Sequence, residues 1–235
     1  MGIFTSVIIL ILVLVIIAFM QLTPGTFALF YHYALGKYSA QKTDDLSLSF
    51  ILGAEAFSAT MILITYFVIF TILVSQPLFI QNIFSWIMAG IFLGEAFAVF
   101  FCYFRKGKST ALFISRRIAH GTKSCISHVK SHRDAFILGA TSSVAELIFT
   151  IPLYIIFTTE LMKFSTNIRV IVATLFILAT ILPLFLIRGF YRAGNNLAEI
   201  QRLRVHLKPL VRIVISLGFI FLSLAIINCG IFYYG

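Results

Sequence analysis

Charge is what this sequence has least of. Only 11% of its 235 residues are Asp, Glu, Lys or Arg, and the acids number 8 against 18 Lys and Arg. With 60% hydrophobic residues and a mean hydropathy of +1.05, the chain cannot coat a soluble fold with polar surface, which excludes a water-soluble domain of ordinary composition. Cysteine is scarce as well. Cys102, Cys125 and Cys229 lie far apart with no C-x-x-C, so neither a disulfide framework nor a zinc site is signalled. The apolar runs hold no histidine, and the chain has no G-x-S-x-G, H-E-x-x-H or P-loop, which removes the usual grounds for reading a membrane enzyme. The net charge of +10 resides between apolar runs, where it orients a membrane protein and does not mark a nucleic-acid partner.

What the chain does have is apolar length. Runs at about 3–22, 46–74, 79–104, 134–158, 168–187 and 210–234 each approach or exceed the roughly 20 residues that cross a bilayer. They predict an all-α polytopic membrane protein of about six spans, folded as a single transmembrane domain over 1–235. No Lys or Arg precedes the first run, so it reads as an uncleaved span and not a signal peptide. Thr23-Pro24-Gly25 then breaks the helix, Pro by removing a donor and Gly by admitting unusual dihedrals, and Thr26 to Gly36 reads as a re-entrant or amphipathic piece. Two basic loops are expected at 105–133, with Ser109–Ala119 lying helically on the membrane surface, and at 188–209. All Lys and Arg except Lys163 and Arg169 fall on one side of this arrangement. Positive-inside then places the basic loops in the cytoplasm and both termini outside, in a multi-pass protein of the cell membrane whose basic segments meet anionic headgroups. His128 and His132 have i, i+4 ligand spacing, but the cations around them oppose a metal, and no cofactor is implied.

A short internal repetition is present. Phe50-Ile51-Leu52-Gly53-Ala54 recurs as Phe136-Ile137-Leu138-Gly139-Ala140, with Ala59 and Ile62 in register with Ala145 and Ile148, and both segments enter from the cytoplasmic side. Six spans with a long central loop also admit two three-helix repeats, but that division pairs span one with span four, whereas the short repeat pairs two with four.

Three glutamates fall inside predicted spans, where a carboxylate costs roughly 2.5 to 3.5 kcal/mol at a helix centre and therefore faces a bundle interior, a partner or a substrate path. Glu55 and Glu95 lie about nine residues from the cytoplasmic ends of their helices, roughly 13 Å, and Glu146 about twelve, so the three are expected in one layer. Glu55 has Ser58 one turn on. Gly139, Ser143, Glu146 and Thr150 share a helical face, and Gln81, Ser85 and Glu95 share another on which Met88 and Phe92 intervene. Gly90 and Gly94 form a G-x-x-x-G before Glu95 that predicts close helix packing. Pro24, Gly25 and Pro152 are candidate hinge or gate residues, and Pro183 a simple kink. Convergent carboxyls would suit a cationic or amine-bearing solute, a metal cation, or a proton exchanged against one. The same residues also suit interhelical hydrogen bonds that only hold helices together.

The first half resembles the LysE-type exporter superfamily, relatives of the DsbD/CcdA electron carriers. The likeness rests on a first span ending in Thr23-Pro24-Gly25, a glycine some ten residues later at Gly36, a polar stretch, a second span with Gly53-Ala54 near its start, and six spans in all. Thr26 stands where the family has a second proline, and no Asn-Pro pair opens span four. The electron-carrier branch needs a pair of membrane cysteines, which the Thr23-Pro24-Gly25 turn lacks. The resemblance implies gradient-driven export of an amino acid, another small solute or a metal ion. The expectation is a secondary transporter, a proton-coupled exporter of a small cationic or amine-bearing solute or metal ion, with Glu55, Glu95, Glu146, Ser58, Ser143 and Thr150 as its binding groups. The alternatives are a scaffold or accessory subunit that docks a partner through its basic loops, and, behind it, an enzyme acting on lipid. A homo-oligomer is left open.

Overall fold

A computed structural model describes residues 2–21, 25–73, 76–102, 125–144, 146–193 and 197–229, and the described residues contain no strand. The helices are α1 (Gly2–Gln21), α2 (Gly25–Lys37), α3 (Ala40–Val68, running into a π-helical turn Ile69–Leu73), α4 (Leu78–Phe101), α5 (His132–Val144), α6 (Leu147–Met162), α7 (Thr166–Arg192) and α8 (Leu197–Cys229). Five are long and apolar enough to cross a membrane, and a sixth is obtained if α5 and α6, bent by 81° at their junction, count as one broken span. This is consistent with a multi-pass membrane protein. Pro24 and the stretch 103–124, with the expected surface helix, lie outside the described residues.

Boundaries move where caps and polar turns decide them. α3 begins at Ala40 and not at Leu46, because the Ser39 hydroxyl accepts from the Lys42 amide at 3.4 Å and caps a polar first turn. Most of the expected loop 188–209 is helical: Arg188 and Arg192 end α7, and Arg202, Arg204 and Lys208 lie on α8, with 194–196 outside the described residues. At the far end α6 terminates in carbonyls that Arg169 answers, its Nε on Phe164 O at 2.6 Å and an Nη on Met162 O at 2.7 Å, while Lys163 pairs with buried Glu160 at 2.8 Å. Cations belong at that negative end of a helix dipole.

Two apolar cores result. The larger joins α1, α4, α6 and α8 through residues such as Val13, Phe92, Phe157 and Phe219. The smaller lies at the basic end, where the Phe27 and Phe30 rings of α2 close on Phe50 of α3 with centroids 5.2 and 5.3 Å away.

The tightest contact is between the two copies of the repeated pentapeptide. A Cβ built on Gly53 would fall on the carbonyl oxygen of Phe136, and one built on Gly139 would fall on the carbonyl oxygen of Phe50, so each glycine is seated against the other copy's phenylalanine carbonyl. The helices run parallel there: Ser49 Oγ meets His132 Nδ1 at 2.9 Å one turn earlier, and Ala54 N lies 3.0 Å from the Cβ position of Gly139. Small residues that let backbones touch are the usual means of close helix packing in a bilayer. Beyond this point the copies diverge, since α3 continues unbroken past Ala59 and Ile62 while the other chain segment bends before Ile148.

Gly90 and Gly94 do not play that part. A Cβ at either meets nothing within 4 Å, so the G-x-x-x-G of α4 points outward from the described helices. Gly94→Ala is therefore expected to leave the melting temperature in detergent unchanged or slightly raised, by no more than about 1 kcal/mol of helix propensity. A large fall in thermal stability would place a helix against that face.

Candidate functional site

Three polar contacts tie α3 to α7 along one line. At the basic end Asp44 receives both arms of Arg188, Nε to Oδ1 at 2.7 Å and Nη2 to Oδ2 at 2.6 Å, with Arg192 Nε 3.7 Å from Oδ1. In the apolar interior the Thr180 hydroxyl, which also lies 2.7 Å from Ile177 O, is 3.2 Å from Glu55 Oε2. At the opposite end Arg169 donates to the Tyr66 hydroxyl at 3.1 Å. On α3 these residues fall at i, i+11 and i+22, close to whole helical turns, so they share a face at levels roughly 16 Å apart. On antiparallel α7 their partners descend in order from 188 to 180 to 169.

Glu55 is 5% exposed and sits at the middle level. Tyr154 of α6 lies against Ser58 and within electrostatic reach of both Glu55 and Glu146. Thr180 precedes Pro183 on α7, so the polar partner belongs to the segment where the proline removes a backbone donor.

Glu146 is half-buried and occupies the α5–α6 junction. Its amide donates to Ser143 O at 3.1 Å, and its carbonyl accepts from the amides of Phe149 and Thr150 at 3.0 and 3.1 Å. The predicted stripe Gly139, Ser143, Glu146, Thr150 is not one helical face, because the 81° bend falls within it. Ser143 and Thr150 spend their hydroxyls on backbone carbonyls, Gly139 O at 3.3 Å and Glu146 O at 3.2 Å. The break also precedes Pro152, which lies inside α6 and is not the hinge itself. A helix that begins within the bilayer presents unpaired N–H groups at the positive end of its dipole, which is how broken spans come to hold polar ligands.

Glu95 stands apart from this group. It lies on the α4 stripe Gln81, Ser85, Met88, Phe92, Glu95, Val99, buried as the spacing predicts. That stripe packs on α8: Ser223 Oγ donates to Ala89 O at 2.9 Å, Phe92 stacks on Phe219 at 5.8 Å, and Arg212 lies over Phe100 at 5.0 Å. Glu55 thus faces α7, Glu146 stands at the α5–α6 junction and Glu95 lies in the α4 face that packs on α8.

Asp44, Tyr66, Tyr154, Arg169, Thr180 and Arg188 were not singled out by the sequence as a site. The signal was available in part: Asp44, Glu55 and Tyr66 repeat at eleven residues, and Tyr154 and Thr180 are polar groups deep in apolar runs. Arg188 reads from sequence as a solvated membrane-facing cation, yet it is 8% exposed and paired. Gly25 opens α2. Among the described residues no group of three His, Cys, Asp or Glu could hold a metal ion. No protein family, curated protein or solved structure matches the chain.

Proposed function

We propose that the chain is a secondary transporter in which Glu55 is the central exchange group and the Asp44–Arg188 and Tyr66–Arg169 contacts are gates on either side of it. One observation carries this reading: a buried acid midway between two arginine contacts, all three on one face of α3 and all answered by α7. Alternating access needs such a plan, a site that meets one side when one gate parts and the other side when its counterpart does. Tyr154, Ser58 and Glu146 complete the polar surroundings. An anionic site without a neighbouring cation suits a small cationic or amine-bearing solute, a metal ion, or a proton carried in exchange. By the positive-inside rule the Asp44–Arg188 gate is proposed to lie in the cytoplasmic half, and the direction, export, is proposed on the sequence resemblance to LysE-type exporters alone. Glu95, in the α4–α8 seam, takes no part in this track.

The test is flux in proteoliposomes loaded with a pH indicator and challenged with amines, basic amino acids and divalent cations. Glu55→Gln removes the exchangeable proton while keeping the Thr180 hydrogen bond, and is expected to abolish pH-dependent flux with little loss of stability. Wild-type flux in that variant at every pH would sink the assignment. A protein inert alone and stable only with another chain would instead favour the accessory-subunit reading.

A further inference from the structure

Apolar side chains fill the space between the Asp44–Arg188 pair and Glu55. Leu184 stands one turn from both Thr180 and Arg188 on α7, and Ile51 one turn before Glu55 on α3, so each shares a face with the polar line. Both are 1% exposed and belong to the smaller core. Helix α2 covers that core. Its Phe27, Phe30, Tyr31 and Ala34, at i, i+3, i+4 and i+7, are buried, while Leu29, His32, Leu35 and Lys37 are exposed. The helix is fastened to one side of the gate: Phe27 and Phe30 close on Phe50 of α3, and the Tyr33 and Tyr38 hydroxyls donate to Ser127 O at 3.1 Å and Val129 O at 2.8 Å, just ahead of α5. To α7 it presents a ring. Tyr31 stacks on Tyr191 with centroids 4.4 Å apart and planes 19° from parallel, and it lies within electrostatic reach of Asp44, Arg188 and Arg192.

We infer that α2 is the fixed lip of the gate at the basic end and that the Tyr31–Tyr191 stack is its seal, an inference that rests on the carrier reading above. Tyr191 is one turn beyond Arg188 on the same face of α7, so drawing α7 away from α3 parts the stack and the Asp44–Arg188 pair together. The seam between Ile51 and Leu184 then opens toward Glu55. An ion pair alone closes a passage poorly, because charges hold water, whereas packed rings close it by excluding water. The division of contacts decides which part moves. Withdrawing α2 would give up two phenol–carbonyl bonds and two ring contacts on Phe50, while withdrawing α7 parts a ring stack and leaves those bonds in place. The segments that hold α2 are themselves locked together at Gly53 and Gly139, so the lip stays with them.

In a background with Cys102, Cys125 and Cys229 replaced by Ser, Tyr31→Cys with Tyr191→Cys is joined by a short, reducible bifunctional thiol reagent, and Phe30→Cys with Phe50→Cys is joined for comparison. Joining the first pair is expected to abolish flux in proteoliposomes, with recovery on reduction, and joining the second to leave flux unchanged. Full flux with the first pair joined overturns the seal, and arrest by the second pair overturns the fixed lip. A measurement without flux separates this inference from the carrier reading. Nitroxide labels at His32→Cys of α2 and Gly189→Cys of α7 occupy exposed positions, so they do not depend on a buried double-cysteine variant folding. In the double variant Asp44→Asn, Arg188→Leu, which frees the charged half of the gate, that pair is expected to take a second, longer distance, while His32→Cys with Arg133→Cys of α5 keeps one. A single distance for the α2–α7 pair, or a second one for the α2–α5 pair, overturns the lip whatever the flux. Two distances for the α2–α7 pair in a protein that moves none of the solutes would uphold the parting contact and sink the carrier reading instead.

Discussion

Gly139→Ala is expected to destroy the folded protein, or to lower its melting temperature in detergent far more than a methyl added at Gly36, Gly90, Gly94 or Gly189, where a Cβ meets nothing. Overpacking a core usually costs about 1 to 3 kcal/mol because side chains can give way. Here the added carbon meets the Phe50 carbonyl, with its carbon at 2.9 Å, and a carbonyl held in a helix cannot turn aside. The two helices would have to separate along their whole contact, which places the cost at or above the top of that range. Gly53→Ala collides with Phe136 in the same way. Because either substitution forces the same separation, the double variant should lose little more than the worse single one, a non-additivity that neighbouring sites sharing one displacement show. An unchanged melting temperature in Gly139→Ala would mean that the glycines are not at the contact. Gly218 offers the contrast: a Cβ there meets only side-chain atoms of Ile16, Cγ1 at 2.6 Å and Cδ1 at 2.8 Å, which can shift where a helix carbonyl cannot, so Gly218→Ala should cost less.

Asp44→Asn is expected to be the most damaging change of charge. It leaves Arg188 buried against α3 with no counter-ion, and removing one member of a buried pair costs roughly 3 to 5 kcal/mol, the lower figure applying since Asp44 keeps some exposure. Removing both charges, as in Asp44→Asn with Arg188→Leu, should be milder than removing the acid alone, because no uncompensated ion remains. The measurement is thermal stability of the three variants by size-exclusion chromatography after heating. A double variant less stable than Asp44→Asn would show that the pair adds more through attraction than it loses through desolvation. In flux assays the same double variant should also leak, if the pair is a gate.

The parts legible in the sequence were those set by local composition. Apolar run length placed α1, α4 and α7 within a few residues, and the Gln81, Ser85, Glu95 spacing gave the buried face of α4 correctly. Ser39 and the polar turn after it were harder, since a cap extends a helix into residues that hydropathy assigns to a loop. The bend at Glu146 escaped because helical periodicity assumes an unbroken helix, and no glycine or proline stands at 145 or 146 to announce it. The short repeat was visible, but not that its copies touch: contact between segments eighty-six residues apart depends on which faces the rest of the bundle leaves free. Gly90 and Gly94, with a better-known packing motif, face outward for the same reason. The polar line on α3 was missed because only Glu55 stood out from the apolar run, and its eleven-residue spacing from Asp44 and Tyr66 carries no signal until α7 supplies the partners.

The seating of each glycine beneath the other copy's carbonyl also bears on what can move. Two helices locked by backbone against backbone have no freedom to slide or roll, whereas α7 is tied to α3 at three levels by side chains that rotate and release. In a working carrier α3 and α5 would thus be the stator and α7 the rotor, and a spin-label pair across α3 and α5 should keep one distance through the cycle while a pair across α3 and α7 takes two.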